Sequence, residues 1–237
     1  MKQRPSAEPA ARSAASPATS KGERTRRAIA DAALELFLER GYERTTMRAV
    51  AERAGVAVGN AYYYYGSKEH LVQAFYARTH EEHLARCEPM LATEKTFAER
   101  LRRLLVLKVE TSAPYHRFSA LLFRTAADPR SPLNPFSGES AEVREQATAL
   151  LARVIEGSEL KLPPDLAREL PSLLWLYEMA VILFWVHDGS AGFARTLRLI
   201  DRTVDLVAKL TKLAGNPLLK PLRTSLLKLL AELRAPA

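Results

Sequence analysis

In the stretch TRRAIADAALELFLERGY, residues 25–42, the apolar positions Ile29, Ala32, Ala33, Leu36 and Phe37 recur three and four apart. That period places them on one face of a helix, and Gly41 stands where a helix C-terminus favours glycine. Thr45 or Thr46 can cap a short second helix, TMRAVAERA, which Gly55 stops. A third short helix follows over 58–65, broken by Gly66-Ser67. A longer fourth helix opens at Ser67 and runs to about Pro89. Beyond it the pattern predicts amphipathic helices over Thr96–Ser112, from Pro114 onward, and over 141–157, with a proline-rich loop at 128–140. A very apolar helix is predicted over 166–187. A helix capped by Ser190 follows over 191–213, and a last leucine-rich helix spans Leu219 to Leu233.

The fold class is therefore all-α. Three short N-terminal helices separated by tight Gly-marked turns precede a larger C-terminal helical domain. The expected division is a disordered basic tail at 1–20, a helix-turn-helix domain at 21–67 and a second domain at 68–237. Composition agrees: the chain has 237 residues, 47% of them hydrophobic, with only 10 glycines. Charge sharpens the picture. The net charge is +8, and residues 1–27 hold seven Lys/Arg against two acids, which suggests a polyanionic partner. A single cysteine, Cys87, rules out an internal disulfide. The apolar run 173–186 is short for a membrane span and carries Glu178 in its middle, so a cytoplasmic protein without membrane association is expected.

Residues 45–71, TTMRAVAERAGVAVGNAYYYYGSKEHL, have the layout of a helix-turn-helix. Ala51 and Ala54 are small enough for close helix crossing, Gly55 supplies the positive φ of the turn, and Val50 and Val56 fill the space between the helices. A reading helix in the major groove turns its first residues to base edges while its flanks touch phosphates. Val58, Gly59 and Asn60 therefore face bases; Thr45, Thr46, Arg48, Tyr62, Tyr63 and Lys68 face the DNA backbone. The four tyrosines divide by helical spacing. Tyr64 and Tyr65 share the inward side with Ala61, Tyr62 lies one turn after Val58, and Tyr63 sits at the edge.

From about Arg26 through Phe75 the chain resembles the TetR-type bacterial transcriptional repressors. The helix AALELFLERGYERTTM, the turn AERAGVAVG and the block YYYYGSKEHL carry the likeness. The resemblance implies two-fold dimers on double-stranded palindromic DNA, an N-terminal three-helix DNA-binding domain with a helix-turn-helix, and a larger C-terminal helical domain that dimerises and binds a small-molecule inducer. In that architecture helices 166–187 and 191–213 would form the homodimer, and an effector would shift helix 68–88. The chain departs from the family pattern at Ala57, where serine is usual, and at Val58, where Lys or Arg is usual. It departs again at Ala61, usually Leu or Ile, and at Tyr65, usually Phe. Val58 cannot make the bidentate guanine contact of an arginine, but it can touch a thymine methyl.

Other features suggest effector chemistry. Tyr115, Phe118, Leu122 and Phe123 on the helix after Pro114, with Trp175 and Glu178 on the apolar helix, are the pocket candidates. A carboxylate inside so apolar a run needs a partner. His80, His83 and Cys87 fall on one helix face, and a metal-responsive repressor is the alternative reading, although three ligands on one helix rarely close a site. No metal site or cofactor is assigned. The chain has no Gly-rich phosphate loop, nucleophile elbow or His-Glu-x-x-His pattern, so no enzyme is expected. The last helix, with Lys220, Arg223, Lys228 and Arg234, is expected to pack on its own domain rather than on a membrane.

Overall fold

The computed structural model of the chain describes residues 20–234; the tail expected to be disordered lies outside them except for Ser20. Among the described residues there are helices and turns and no strand. Helix α1 (Lys21–Arg40) begins with a reciprocal cap, in which Ser20 Oγ accepts from the Glu23 amide and Glu23 returns a bond to the Ser20 amide. Its buried residues are Ile29, Ala32, Ala33, Leu36 and Phe37, the predicted stripe, and Gly41 closes it at φ 82°. Helix α2 (Met47–Arg53) is capped by Thr46, whose hydroxyl accepts from the Ala49 amide. Gly55 takes a φ of 67° in the turn to α3 (Val58–Tyr64).

Helix α4 (Lys68–Thr93) is capped by Ser67 and runs past Pro89, the residue where it was expected to end. Pro89 forfeits one amide donor, but Met90 beyond it is buried and the last-turn carbonyls are satisfied from outside. Buried Arg100, on α5 (Phe97–Ser112), donates to Leu91 O and Glu94 O at 2.9 and 2.8 Å. It also donates to Val154 O and Arg153 O, both at 2.9 Å, near the end of α7 (Ala141–Glu156). One cation thus closes the negative ends of two helices. Gly157 makes room for it, since a Cβ there would overlap the guanidinium.

Helices α5 and α7 pack with α4, α8 (Pro164–Val186) and α9 (Ala194–Ala214) around the larger core. Helix α8 is long and apolar enough to cross a membrane by length and composition. However, Leu170, Leu174, Trp175, Val181 and Trp185 are spent in that core. Helix α9 starts later than expected because Asp188, not Ser190 alone, organises the turn. Asp188 Oδ2 accepts from the Thr196 amide and hydroxyl at 2.9 and 2.7 Å. Helix α10 (Lys220–Arg234) meets the rest of the chain mainly through Arg223, bonded to Asp165 at 2.9 Å and to Ala214 O at 2.8 Å. Leu222, Leu226 and Leu229 remain exposed, so the predicted packing of this helix on its own domain is only partial.

The smaller core does not stop at residue 67. It continues through Leu71, Val72 and Phe75 of α4 into Phe118, Leu122 and Ala126 of α6 (His116–Ala126), and on to Leu133. Phe118 stacks on Phe37 at 5.6 Å between centroids and meets Phe75 edge-on at 4.8 Å. The proline-rich loop that follows α6 is pinned to α4, where Gln73 donates to Pro132 O at 2.9 Å and to Ser140 Oγ at 3.1 Å.

Candidate functional site

The α2–α3 unit is held by small contacts, as the sequence requires. Ala51 and Val50 are fully buried, and the Val56 amide donates to Ala51 O at 3.0 Å to close the turn. Ala57 supplies no side-chain cap, so the first turn of α3 carries Val58, Gly59 and Asn60 into solvent with its amides free of side-chain partners. The tyrosine run divides sharply: Tyr62 is 52% exposed, Tyr63 82% and Tyr65 5%. Tyr65 donates its hydroxyl to Arg26 O at 3.3 Å, and Arg26 lies over its ring. Tyr64 is half-buried, with its hydroxyl over Gly22 at the start of α1.

Around α3 the remaining predicted contacts separate. Arg48 is exposed at the surface of α2. Thr46 is exposed, but its hydroxyl is engaged as a cap and its carbonyl accepts from the Val50 amide, which leaves its backbone amide for a ligand. Thr45 is 1% exposed and donates to Gly41 O at 2.9 Å, so it faces the core and leaves the set of DNA-facing residues. Lys68 is half-buried. Its ammonium donates to Tyr42 O at 3.0 Å and sits 4.4 Å from the Tyr42 ring centroid. Tyr42 in turn donates to Glu69, and burial together with that carboxylate raises the phenol above its ordinary range. The sequence reading missed Tyr42 and Glu69; the signal was an aromatic directly after the Gly41 stop.

The pocket candidates do not converge. Phe118 and Leu122 are core residues against α1 and α4, and Tyr115 lies edge-on to Phe75 at 5.0 Å, so these three belong to the junction of the two cores. Phe123 contacts His187, and Trp175 is covered by Phe136 at 5.2 Å. Glu178 alone faces a cavity, a volume of about 10 Å³ between α5 and α8 shared with Lys108, Ser112 and Trp185. Its partner is Lys108, whose ammonium lies 3.2 Å from Glu178 Oε1. The pair is close but not aligned as a hydrogen bond, since that oxygen has no hydrogen-bond partner. Trp185 Nε1 also lacks one.

His80, His83 and Cys87 are all buried, within reach of the Lys108 charge. His83 Nε2 bonds Leu104 O at 3.0 Å. Burial, reinforced by the Lys108 charge, brings His80 down to about 4 and His83 down to about 3. Burial pushes the Cys87 thiol up to about 12, against the thiolate that a metal would require. Among the described residues no three His, Cys, Asp or Glu side chains are grouped to hold a metal ion. The metal-responsive alternative loses its geometry.

Comparison with known proteins matches this arrangement. Residues 29–75 match the family described as bacterial regulatory proteins, tetR family. Residues 100–226 match the tetracyclin repressor-like C-terminal domain. A probable HTH-type transcriptional regulator of Pseudomonas putida, ArpR, is 30% identical over 198 residues, covering 79% of this chain and 87% of its own. A putative TetR-family regulator of Syntrophomonas wolfei superposes with a TM-score of 0.65 at 19% identity, over 79% of this chain and 96% of its own. FadR of Bacillus subtilis, solved in complex with stearoyl-CoA, superposes with a TM-score of 0.60 at 18% identity, over 77% and 97%. With its helix-turn-helix exposed at one end and its larger helical domain matched over most of its length, this chain belongs to the TetR family of bacterial transcriptional regulators.

Proposed function

We propose that the protein is a ligand-responsive repressor that binds a palindromic operator as a homodimer. The observation that carries this reading is the outward face of α3. Val58, Tyr62 and Tyr63 are exposed large hydrophobics on a helix whose inner side, Ala61 with Tyr65, is fully used in the core. Val58, Gly59 and Asn60 read bases. The Thr46 backbone, Arg48, Tyr62, Tyr63 and Lys68 hold phosphates, and the basic segment from Lys21 to Arg27 adds attraction. The two reading helices sit about 34–36 Å apart, one turn of DNA. A cytoplasmic location follows from that partner.

Dimerisation is assigned to α8 and α9. Leu176, Leu183 and Phe184 of α8 and Leu206, Leu210 and Leu213 of α9 are exposed in the single chain. Their spacing, near 3.5 residues, suits antiparallel or parallel helix pairing across a two-fold axis. Residues from 68 onward respond to an effector, although Leu71, Val72 and Phe75 of α4 and the inner face of α6 pack in the smaller core. The stearoyl-CoA bound to the Bacillus subtilis neighbour supports a small-molecule effector in general. Effector binding moves α4, separates the reading helices and weakens DNA affinity, and DNA weakens effector binding by the same factor.

Footprinting of the DNA upstream of the chain's own coding sequence tests this directly, and a protected palindrome is the expected result. Asn60→Ala should change which bases are preferred, by about 1–3 kcal/mol at one position. Lys68→Ala should weaken all sequences alike and reduce the salt slope by about 1. Operator binding left intact by both substitutions would remove α3 and α4 from the interface.

A further inference from the structure

Buried polar atoms without partners cost about 1–3 kcal/mol each, so two at one cavity call for an explanation. Between α5 and α8, Glu178 Oε1 is ion-paired with Lys108 but accepts no aligned hydrogen bond, and Trp185 Nε1 is a donor without a hydrogen bond. Both residues are at most 2% exposed, and both line the same cavity of about 10 Å³, the room that one water or one hydroxyl occupies. Leu105 and Val181 form its apolar walls, and half-buried Ser112 and Ile182 stand toward its outer side. Lys108 balances the Glu178 charge from 3.2 Å.

From this we infer that the cavity is the head-group site of the effector, and that the effector is a neutral apolar molecule ending in an alcohol or carboxamide. The inference rests on the proposed effector response and gives it a chemical class. A hydroxyl can donate to Glu178 Oε1 and accept from Trp185 Nε1 at once, satisfying both atoms. A carboxylate has no proton to offer Glu178 and brings a second negative charge beside it, in a low-dielectric place where like charges repel strongly. A pure hydrocarbon leaves both atoms as they are. The head enters the water-sized space, and the apolar body lies on the outer side over half-buried Ile182.

A matched probe series tests the site: cyclohexylmethanol, cyclohexanecarboxylate and methylcyclohexane. The chain has two tryptophans, so Trp175→Phe leaves Trp185 as the sole indole reporter. Cyclohexylmethanol should shift Trp185 emission saturably and raise the melting temperature, binding at least about tenfold more tightly than the carboxylate, a difference of about 1.4 kcal/mol. Glu178→Gln, which removes the negative charge, should close or invert that preference. Trp185→Phe, read by melting temperature, should weaken the alcohol about tenfold while leaving methylcyclohexane unchanged. Circular dichroism checks that each variant folds; if Glu178→Gln does not, Trp185→Phe decides alone. Carboxylate binding as tight as the alcohol, or an alcohol preference untouched by the variants, overturns the inference. Operator release is read separately. Saturable alcohol binding without release keeps the site and overturns the effector response. Release that persists in both variants keeps the response and overturns the site.

Discussion

Among single residues the tyrosine run is the clearest case of one amino-acid type doing opposite work. Tyr65, at 5% exposure, fills the small core and bonds Arg26 O, whereas Tyr63, at 82%, touches little of its own chain. Tyr65→Ala should therefore cost about 3–5 kcal/mol in urea denaturation, and Tyr63→Ala less than about 0.5 kcal/mol. Helical spacing made this division legible in advance. It could not tell Thr45 from Thr46, because adjacent threonines differ only in which one the chain turns inward. Nor could it find Lys108 for Glu178, since the two meet only when α5 packs on α8. The buried histidines carry a pH signature. His80 and His83 stand at about 4 and about 3 in the folded chain, below the unfolded value near 6.5, through burial first and the Lys108 charge second. As pH falls, the unfolded chain takes up these protons first. Their contribution is complete above pH 6.5 and is lost between there and pH 3–4, on the order of 2 kcal/mol each by pH 5. Denaturant melts at pH 7.5 and 5 should show the loss, and replacing both histidines by glutamine should flatten it.

For whole elements, what the apolar period predicted was mostly existence and facing, and the misses were at ends. Helix α4 outran Pro89 and α9 began after a turn built on Asp188, because both ends are set by side chains from elsewhere or by a cap that hydrophobicity does not record. Arg100 is the instructive example: a charged residue in an amphipathic helix, which no apolar period marks, and which is buried and joins the ends of α4 and α7. Gly157 has an ordinary φ of −83°, so its substitution acts by overlap with that guanidinium rather than by backbone strain. Gly157→Ala should destabilise by about 1–3 kcal/mol. Arg100→Met should cost at least as much, since it strands several buried carbonyls. The double variant should be less destabilised than the sum, because the methionine no longer meets the new methyl. A thermal-melt mutant cycle measures that coupling, and simple additivity would detach Gly157 from Arg100.

At the level of the whole molecule, the proposed dimer makes its own demand. Leu206 and Leu210 are 55% and 54% exposed in the single chain, so charging both should leave each chain folded. Leu206→Glu with Leu210→Glu should give a monomer in sedimentation and lose most operator affinity, because one subunit reads only half a palindrome. The family's outline was visible in residues 26–75, where turn and spacing constraints are tight. The effector region was not, because its candidate aromatics were chosen by type, and type does not say which core a ring will join. Phe118 shows the consequence. It lies in the sequence of the larger domain, yet it completes the ring cluster of the smaller one with Phe37 and Phe75. Regulators of this plan invite recombination, with one protein's DNA-reading segment joined to another's sensor. For this chain a cut at 67/68 would leave Phe37 facing a foreign surface. The transplantable unit is discontinuous: residues 20–67 together with the first turns of α4 and the inner face of α6.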